Sequence, residues 1–188
     1  GNGEHDIIRL QGGLYEPTDG GVAFSYNTPE NFDLEVVGGH APLGPIPCVP
    51  ALGVTTVLSG AGNRRVVQFT GQAGTSGNIT LRRLTIRNGF SAGDAGGILI
   101  GNTSGFTGNV LLEHLVIRNN TAGTFGAGVV GSGGTFTLSN SLLTLNQCGG
   151  SHCAASVTVN DPDATNAILT RIIGNTVAIN TCSDDACT

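Results

Sequence analysis

"LRRLTIRNG" at residues 81–89 and "LLEHLVIRNN" at residues 111–120 are two copies of one pattern. In both copies apolar residues alternate with polar ones, and Asn closes the segment. Period-two alternation with β-branched residues is typical of a strand rather than a helix. The two stretches therefore predict a strand unit that recurs along the chain.

The same unit can be followed through most of the sequence. Its apolar segments are closed by four Asn residues: Asn88, Asn119, Asn146 and Asn175. The steps between these residues are 31, 27 and 29 positions. After each Asn comes a second apolar patch, such as "GGILI" or "GAGVV". A recurrence of roughly 20–50 residues indicates stacked units, none of which can bury its apolar face alone.

Short strands that are bent by Gly and Asn and stacked in parallel predict an all-β fold, a parallel β-helix (solenoid) of about six coils. We expect eight residues of two neighbouring coils to point inward: Ile79, Leu81, Leu84, Ile86, Val110, Leu112, Leu115 and Ile117. The four Asn residues are expected at an inner turn, because Asn tolerates a left-handed backbone there. Their stacked amides would form a hydrogen-bonded ladder along the axis.

The chain is predicted to be one β-helix domain, residues 1–188. Residues 1–54 form its less regular first coils, and a Pro-rich excursion leaves them at 41–53, since Pro cannot serve a central strand. Residues 55–181 form the regular coils, and residues 182–188 are a C-terminal tail.

Composition excludes two classes of partner. The net charge is −5 and only 11% of residues are charged, whereas a protein that binds nucleic acid presents a basic surface. No apolar run approaches the roughly 20 residues that are needed to cross a bilayer. Nucleic-acid binding and a transmembrane segment are therefore not expected.

The five cysteines suggest an oxidising compartment. "CGGSHC" and "CSDDAC" each separate two cysteines by four residues, which favours two local disulfides among Cys148, Cys153, Cys182 and Cys187. A metal site is the weaker alternative, in which His152, Asp184 and Asp185 would add ligands. Cys48 is then left over, either buried or available as an intermolecular thiol.

An outward cluster on neighbouring coils is the candidate ligand-binding site. It combines six residues: Arg82, Arg83, Arg87, Glu113, His114 and Arg118. One interpretation is a groove for an acidic glycan, because Arg pairs bidentately with carboxylates. The other is a solvated face in which Glu113 pairs with Arg82, a contact that contributes only about 0.2–1 kcal/mol.

No catalytic residue is predicted. A glycosidase needs paired carboxylates, and the strands from residue 79 onward carry one, Glu113. Asp161 and Asp163 in "NDPDAT" could hold Ca²⁺, but "DPD" is first a turn signal. We therefore expect no metal site and no cofactor.

From Asp6 onward the chain resembles secreted right-handed parallel β-helix repeat proteins of the pectate-lyase-like superfamily. The opening "DIIRLQGGLYEP … NFDLEVVGGH" resembles bacterial surface members of that group. The apolar-x-x-Asn motif, as in Val116–Asn119, together with "GGILI" and "GAGVV", is similar to repeats of polymorphic outer-membrane adhesins. The resemblance implies a right-handed solenoid, secretion and an extracellular or bacterial cell-surface location, but no particular reaction.

Such domains usually begin with an amphipathic capping helix, and no candidate for one precedes Asp6. An uncovered coil exposes strand edges, which another copy of the chain could cover. The sequence thus favours a non-enzymatic structural or adhesive protein that assembles end to end into a fibre. The alternative is a polysaccharide-binding protein, or a lyase, that acts on an acidic extracellular polysaccharide through the Arg-rich face.

Overall fold

The structure, a computed structural model, describes residues 5–18, 21–28, 31–41, 49–71, 76–101, 106–150, 154–159 and 169–182. Within these residues the fold is all-β, with strands in four sheets and no helix. The strands of each sheet pair in parallel with their neighbours. The predicted all-β class with parallel sheets is therefore confirmed.

The two six-stranded sheets carry most of the recurring apolar segments. Sheet A contains β1 (Asp6–Gln11), β4 (Leu34–His40), β7 (Ile79–Arg82), β11 (Val110–Glu113), β15 (Thr135–Ser139) and β19 (Leu169–Ile173). Sheet B contains β2 (Gly13–Tyr15), β5 (Thr56–Ser59), β8 (Leu84–Arg87), β12 (Val116–Arg118), β16 (Leu142–Thr144) and β20 (Thr176–Ala178).

The other two sheets are smaller. Sheet C contains β3 (Phe24–Thr28), β6 (Val67–Gly71), β10 (Ile98–Ile100), β14 (Val129–Gly131) and β18 (Val157–Val159). Sheet D contains β9 (Phe90–Ser91), β13 (Thr121–Ala122), β17 (Gln147–Cys148) and β21 (Thr181–Cys182). From β7 onward the chain passes through sheets A, B, D and C in the same order, and we call one such passage a winding. This order is compatible with a β-helix or solenoid.

The core lies between the sheets and is built from inward rows of aligned residues. Leu81 is paired in register with Leu112, and Ile86 with Ile117. All eight residues predicted to point inward are buried, which confirms the period-two interpretation of both stretches. Because each row continues through neighbouring windings, one winding supplies the apolar surface that the next one needs.

Sharp one-residue turns connect the sheets. Between sheets A and B the residues with a left-handed backbone are Arg83, His114, Asn140 and Gly174. At the end of the sheet B strands they are Asn88, Asn119, Leu145 and Ile179. A single left-handed residue reverses the side of the chain that faces inward, so the strands on both sides of it can contribute to the core.

The predicted Asn ladder exists, but with a different membership. The backbone N–H of Asn120 donates to the side-chain oxygen of Asn146 at 3.2 Å, and that of Asn146 donates to Asn180 at 2.9 Å. Of the predicted set, Asn146 belongs to this ladder, while Asn88 and Asn119 occupy the left-handed position one residue before it.

Asn175 belongs to a different turn. Its side-chain oxygen accepts from the N–H of Ser141 at 2.8 Å, and its amide donates to the carbonyl of Leu138 at 2.8 Å. It therefore fixes the turn between sheets A and B. The ladder of the structure is Asn120, Asn146 and Asn180. At the ends of β12, β16 and β20 the residue with the left-handed backbone comes first and the residue that points inward follows it, and only the inward side chains stack.

The excursion near residues 41–53 leaves sheet A after His40. The N–H of Ala41 donates to the carbonyl of Val49, and the N–H of Ala51 donates to that of Gly39, both at 2.9 Å. An antiparallel bridge between His40 and Pro50 thus closes the base of the excursion. Residues 42–48, including Cys48, lie outside the described residues.

Candidate ligand groove on sheet A

The structure separates the six predicted ligand-binding residues into two groups. Arg82 and Glu113 are in register at the ends of β7 and β11, and Arg83 and His114 follow them at the turn. Arg87 and Arg118 are also paired in register, but on sheet B, beyond that turn. The two sheet B arginines are aligned in the strand register, and the six residues belong to two faces of the molecule and not to one.

The first group lines an open groove of about 580 Å³. We call it the sheet A groove; it is lined by Ile7, Arg9, Glu35, Val37, His40, Pro50, Arg82, Arg83, Glu113 and His114. Its chemistry includes Arg9, Glu35 and His40, which the sequence did not assign to any site. The groove is thus built by the first windings together with the base of the excursion, and not by the regular coils alone.

Glu35 is the ionic partner of Arg82. Its Oε1 lies 3.0 Å from Arg82 Nε, and its Oε2 lies 3.7 Å from Nε2 of His5. Arg82 therefore pairs with a residue of β4, the strand on the other side of β7 from β11, instead of with the expected Glu113. Glu35 reaches Arg82 diagonally, since its direct partner on β7 is Thr80.

Glu113 faces His114 instead, with Oε2 at 3.8 Å from Nδ1. Within the described residues, neither Arg9 nor Arg83 forms an ion pair. Three arginines and two carboxylates line the groove, so its formal charge is positive although the chain is acidic overall. Arg9 and Arg83 are the guanidinium groups best placed to meet an anionic ligand, because neither has a carboxylate partner among the described residues.

Two glycines lie beside Arg83. A Cβ added to Gly38 would lie 2.3 Å from the backbone carbonyl oxygen of Arg83, so glycine at 38 allows the two backbones to approach closely. Gly39 has a φ of 76°, a left-handed conformation that favours glycine. His40, the next residue, is buried, and its Nδ1 lies 3.3 Å from the carbonyl oxygen of Leu10.

The two carboxylates of the groove are far apart. Glu35 lies two strands away from Glu113 and two positions earlier along the strand direction, which separates their Cα atoms by roughly 12 Å. A glycosidase needs two carboxyl groups that face each other across the substrate, whereas Glu35 is paired with Arg82 and Glu113 lies beside His114. The arrangement suits the binding of an anionic group better than acid–base chemistry.

The cysteine prediction falls partly beyond the described residues. Cys148 is buried and lies in register with Cys182 on neighbouring strands of sheet D. Cys153, Cys187, Asp161 and Asp163 lie outside the described residues, so the disulfides and the cation site stay predictions.

The described part of the chain contains no cluster of three or more His, Cys, Asp or Glu side chains that could hold a metal ion. It also contains no helix of the length and apolarity required to cross a membrane.

Comparison of the chain with protein-family models, with curated proteins and with solved structures finds no match.

Proposed function

We propose that the chain is a non-enzymatic structural or adhesive module, a right-handed parallel β-helix of about six coils that is secreted and acts outside the cell or on a bacterial surface. Two sheets of six strands support the number of coils, and the resemblance to secreted repeat proteins supports the handedness and location. The local disulfides proposed for the two cysteine pairs fit the same oxidising location.

One observation carries the structural role: rows that are buried in the middle of the stack are exposed at both ends. Leu81 and Leu112 are 1% and 0% exposed, whereas the first and last members of their row, Ile8 and Ile172, are 46% and 54% exposed. A strand added at either end would bury these side chains and pair the edge backbone groups that have no strand partner among the described residues. Assembly end to end into a fibre therefore follows from the same packing that forms the core.

The first experiment is sedimentation velocity over a hundredfold range of concentration, combined with negative-stain electron microscopy. Species that grow with concentration and fibres one chain wide are the expected result. A strictly monomeric chain at the highest concentration would contradict the assembly. Repeating the measurement with reductant and with Cys48→Ser tests whether that thiol links neighbouring copies.

The sheet A groove favours a second function, the binding of an acidic polysaccharide. Its supporting observation is the position of Arg83 and Arg9, two arginines without a carboxylate partner in an open groove of about 580 Å³. Guanidinium groups recognise carboxylates through paired hydrogen bonds. An uronic acid oligosaccharide is a ligand of suitable charge and length.

Calorimetry with a panel of acidic and neutral oligosaccharides tests this function. Arg83→Ala is expected to abolish binding of the acidic ligands, while Arg118→Ala on sheet B serves as a charge-matched control outside the groove. Ultraviolet absorbance of the same mixtures reports new double bonds, which would identify a lyase rather than a binding protein. Equal losses for the two variants would exclude the groove as the site.

A further inference from the structure

The C-terminal end of the stack presents an unfinished inward row. In sheet B the row ends at Val177, which is in register with the buried Leu143 and yet exposed. In sheet A it ends at Ile172, in register with the buried Leu138. Both side chains occupy core positions without a following strand among the described residues.

The N-terminal end presents the complementary beginning of the same rows. Ile8 pairs in register with Val36 in sheet A, and Tyr15 pairs with Leu58 in sheet B. A parallel strand placed after β19 and β20 needs apolar residues at these two positions. The edge of β1 and β2 in a second copy supplies them, Ile8 opposite Ile172 and Tyr15 opposite Val177.

Both ends also open into apolar cavities. The cavity at the N-terminal end is about 460 Å³ and is lined by inward residues that include Ile8, Phe24 and Tyr26. The cavity at the C-terminal end is also about 460 Å³, and its walls include Ile172 and Val177. Stacking one end on the other would close both openings with side chains of the same apolar type.

A contact between two C-terminal ends, or between two N-terminal ends, is less favourable than a contact between unlike ends. Arg171 is the central residue of β19, so antiparallel pairing of two β19 strands at full overlap sets two Arg171 side chains opposite each other, which is unfavourable. Antiparallel pairing of two β1 strands at full overlap sets Ile8 opposite Arg9, and this mixes the inward and outward rows. Parallel pairing of β19 with β1 avoids both conflicts. In the register of the rows, Arg171 is then opposite Ile7, and Thr170 is opposite Asp6.

The last winding exposes a further apolar side chain. Ile179 has a left-handed backbone with a φ of 54°, and its side chain is 71% exposed. A β-branched residue is unfavourable in this conformation, and the equivalent residues of the earlier windings are Asn88, Asn119 and Leu145. Ile179 adds to the apolar surface that Ile172 and Val177 present at this end.

We infer that the C-terminal end of one copy docks on the N-terminal end of a second copy, with β19 running parallel to β1 and β20 parallel to β2. The inference rests on the proposed assembly and adds its polarity, its register and its partner. The contact is heterologous, so every copy carries one donor end and one acceptor end. Stacking along the axis of the windings then extends the assembly as an open filament.

Two complementary variants test this polarity. Ile8→Asp blocks only the N-terminal end, and Ile172→Asp blocks only the C-terminal end. Each variant alone is expected to be monomeric in sedimentation velocity, because every possible contact would involve one blocked end. Their mixture is expected to form a species of twice the monomer mass and nothing larger, since each variant keeps one functional end.

Leu52→Asp is the matched control, because Leu52 is almost fully exposed on the excursion and does not belong to the inward row of either terminal strand. It should assemble like the wild type, and circular dichroism should show that all three variants keep their β structure. Ile179→Asn should weaken assembly while it raises the melting temperature of the monomer. That combination separates a contact residue from one that only supports the fold.

The outcomes distinguish the two proposals. A monomeric wild type at all concentrations overturns both the assembly and its polarity. Fibres of the wild type together with homodimers of either variant, or fibres of either variant alone, overturn the polarity and leave the assembly standing.

Discussion

The side-chain amide of Asn120 donates a hydrogen bond to the side-chain oxygen of Asn146 at 3.0 Å, and Asn146 repeats this contact with Asn180 at the same distance. Each amide also donates to a carbonyl of the preceding winding, Asn120 to Ile86 at 3.2 Å and Asn146 to Ile117 at 3.0 Å. Asn120 and Asn146 are fully buried. The ladder therefore joins consecutive windings at this turn, and its side-chain oxygens accept the backbone N–H groups of Asn120 and Asn146.

Replacing Asn146 by Ala should strongly destabilise the fold. The change removes the oxygen that accepts from both the backbone N–H and the amide of Asn120, and it leaves the carbonyl of Ile117 without its donor. Buried polar groups without partners cost about 1–3 kcal/mol each. We expect the free energy of unfolding, measured by urea denaturation, to fall by about 3–4 kcal/mol.

Asn119→Gly is the control for this prediction. Asn119 is exposed and has a φ of 54°, which Gly adopts without strain. Its free energy of unfolding should stay within about 0.5 kcal/mol of the wild type. Comparable losses for the two variants would show that the ladder is not the source of the stability.

Leu145→Asn should stabilise the monomer. Leu145 is exposed and has a φ of 56°, a left-handed conformation that costs most residues about 1–2 kcal/mol and that Asn visits more readily. The melting temperature should therefore rise by about 2–4 °C for a gain near 1 kcal/mol.

Leu142→Asn provides the comparison, because Leu142 lies within β16 in ordinary strand geometry. Asn is depleted in strands, so this variant should be less stable than the wild type. If both Asn variants lowered the melting temperature, backbone strain at Leu145 would not be the controlling factor.

The inward rows could be predicted from the sequence because alternation of apolar residues fixes which side of a strand is buried. Ile86 and Ile117 stand at the same place in both repeated stretches, and no distant information is needed to align them. The membership of the ladder is harder. Asn119 and Asn120 are adjacent, and only the backbone of the turn decides that the first is left-handed and the second points inward.

The sheet A groove could be predicted only in part for a different reason. Arg82, Arg83, Glu113 and His114 come from the repeat, and their proximity follows from its period. Glu35 and His40 join them through the pairing of β4 with β7, across a Pro-rich excursion whose length hides the register. The ionic partner of Arg82 thus depends on strand order rather than on any local pattern.

Arg65→Ala should destabilise the turn between sheets D and C. The Arg65 guanidinium donates to the carbonyls of Ala95 at 2.8 Å and Asp94 at 2.6 Å, and to the side-chain oxygen of Gln68 at 2.5 Å. Burial lowers the pKa of Arg65, and the charge of Asp94 opposes this shift. Because hydrogen bonds of a charged donor contribute about 1.5–3 kcal/mol, we expect a loss of about 3 kcal/mol in urea denaturation.

Arg64→Ala removes the same charge from the neighbouring position, where Nε donates to the exposed side chain of Asn63. This variant should lose less than about 1 kcal/mol. A loss equal to that of Arg65→Ala would attribute the effect to net charge rather than to the bonds of Arg65.

Glu35→Gln should increase the affinity of the sheet A groove for an acidic oligosaccharide. The substitution keeps the shape of the side chain but removes the charge that now neutralises Arg82 at 3.0 Å. Exposed ion pairs are worth about 0.2–1 kcal/mol, so the gain should be up to about fivefold in calorimetry at low salt. The gain in affinity should shrink in 0.5 M salt, where the screening length falls below about 5 Å.

Glu16→Gln makes the same charge change at an exposed residue that does not line the groove, and it should leave the affinity unchanged. Equal affinities for the wild type and Glu35→Gln would mean that Arg82 takes no part in binding the ligand.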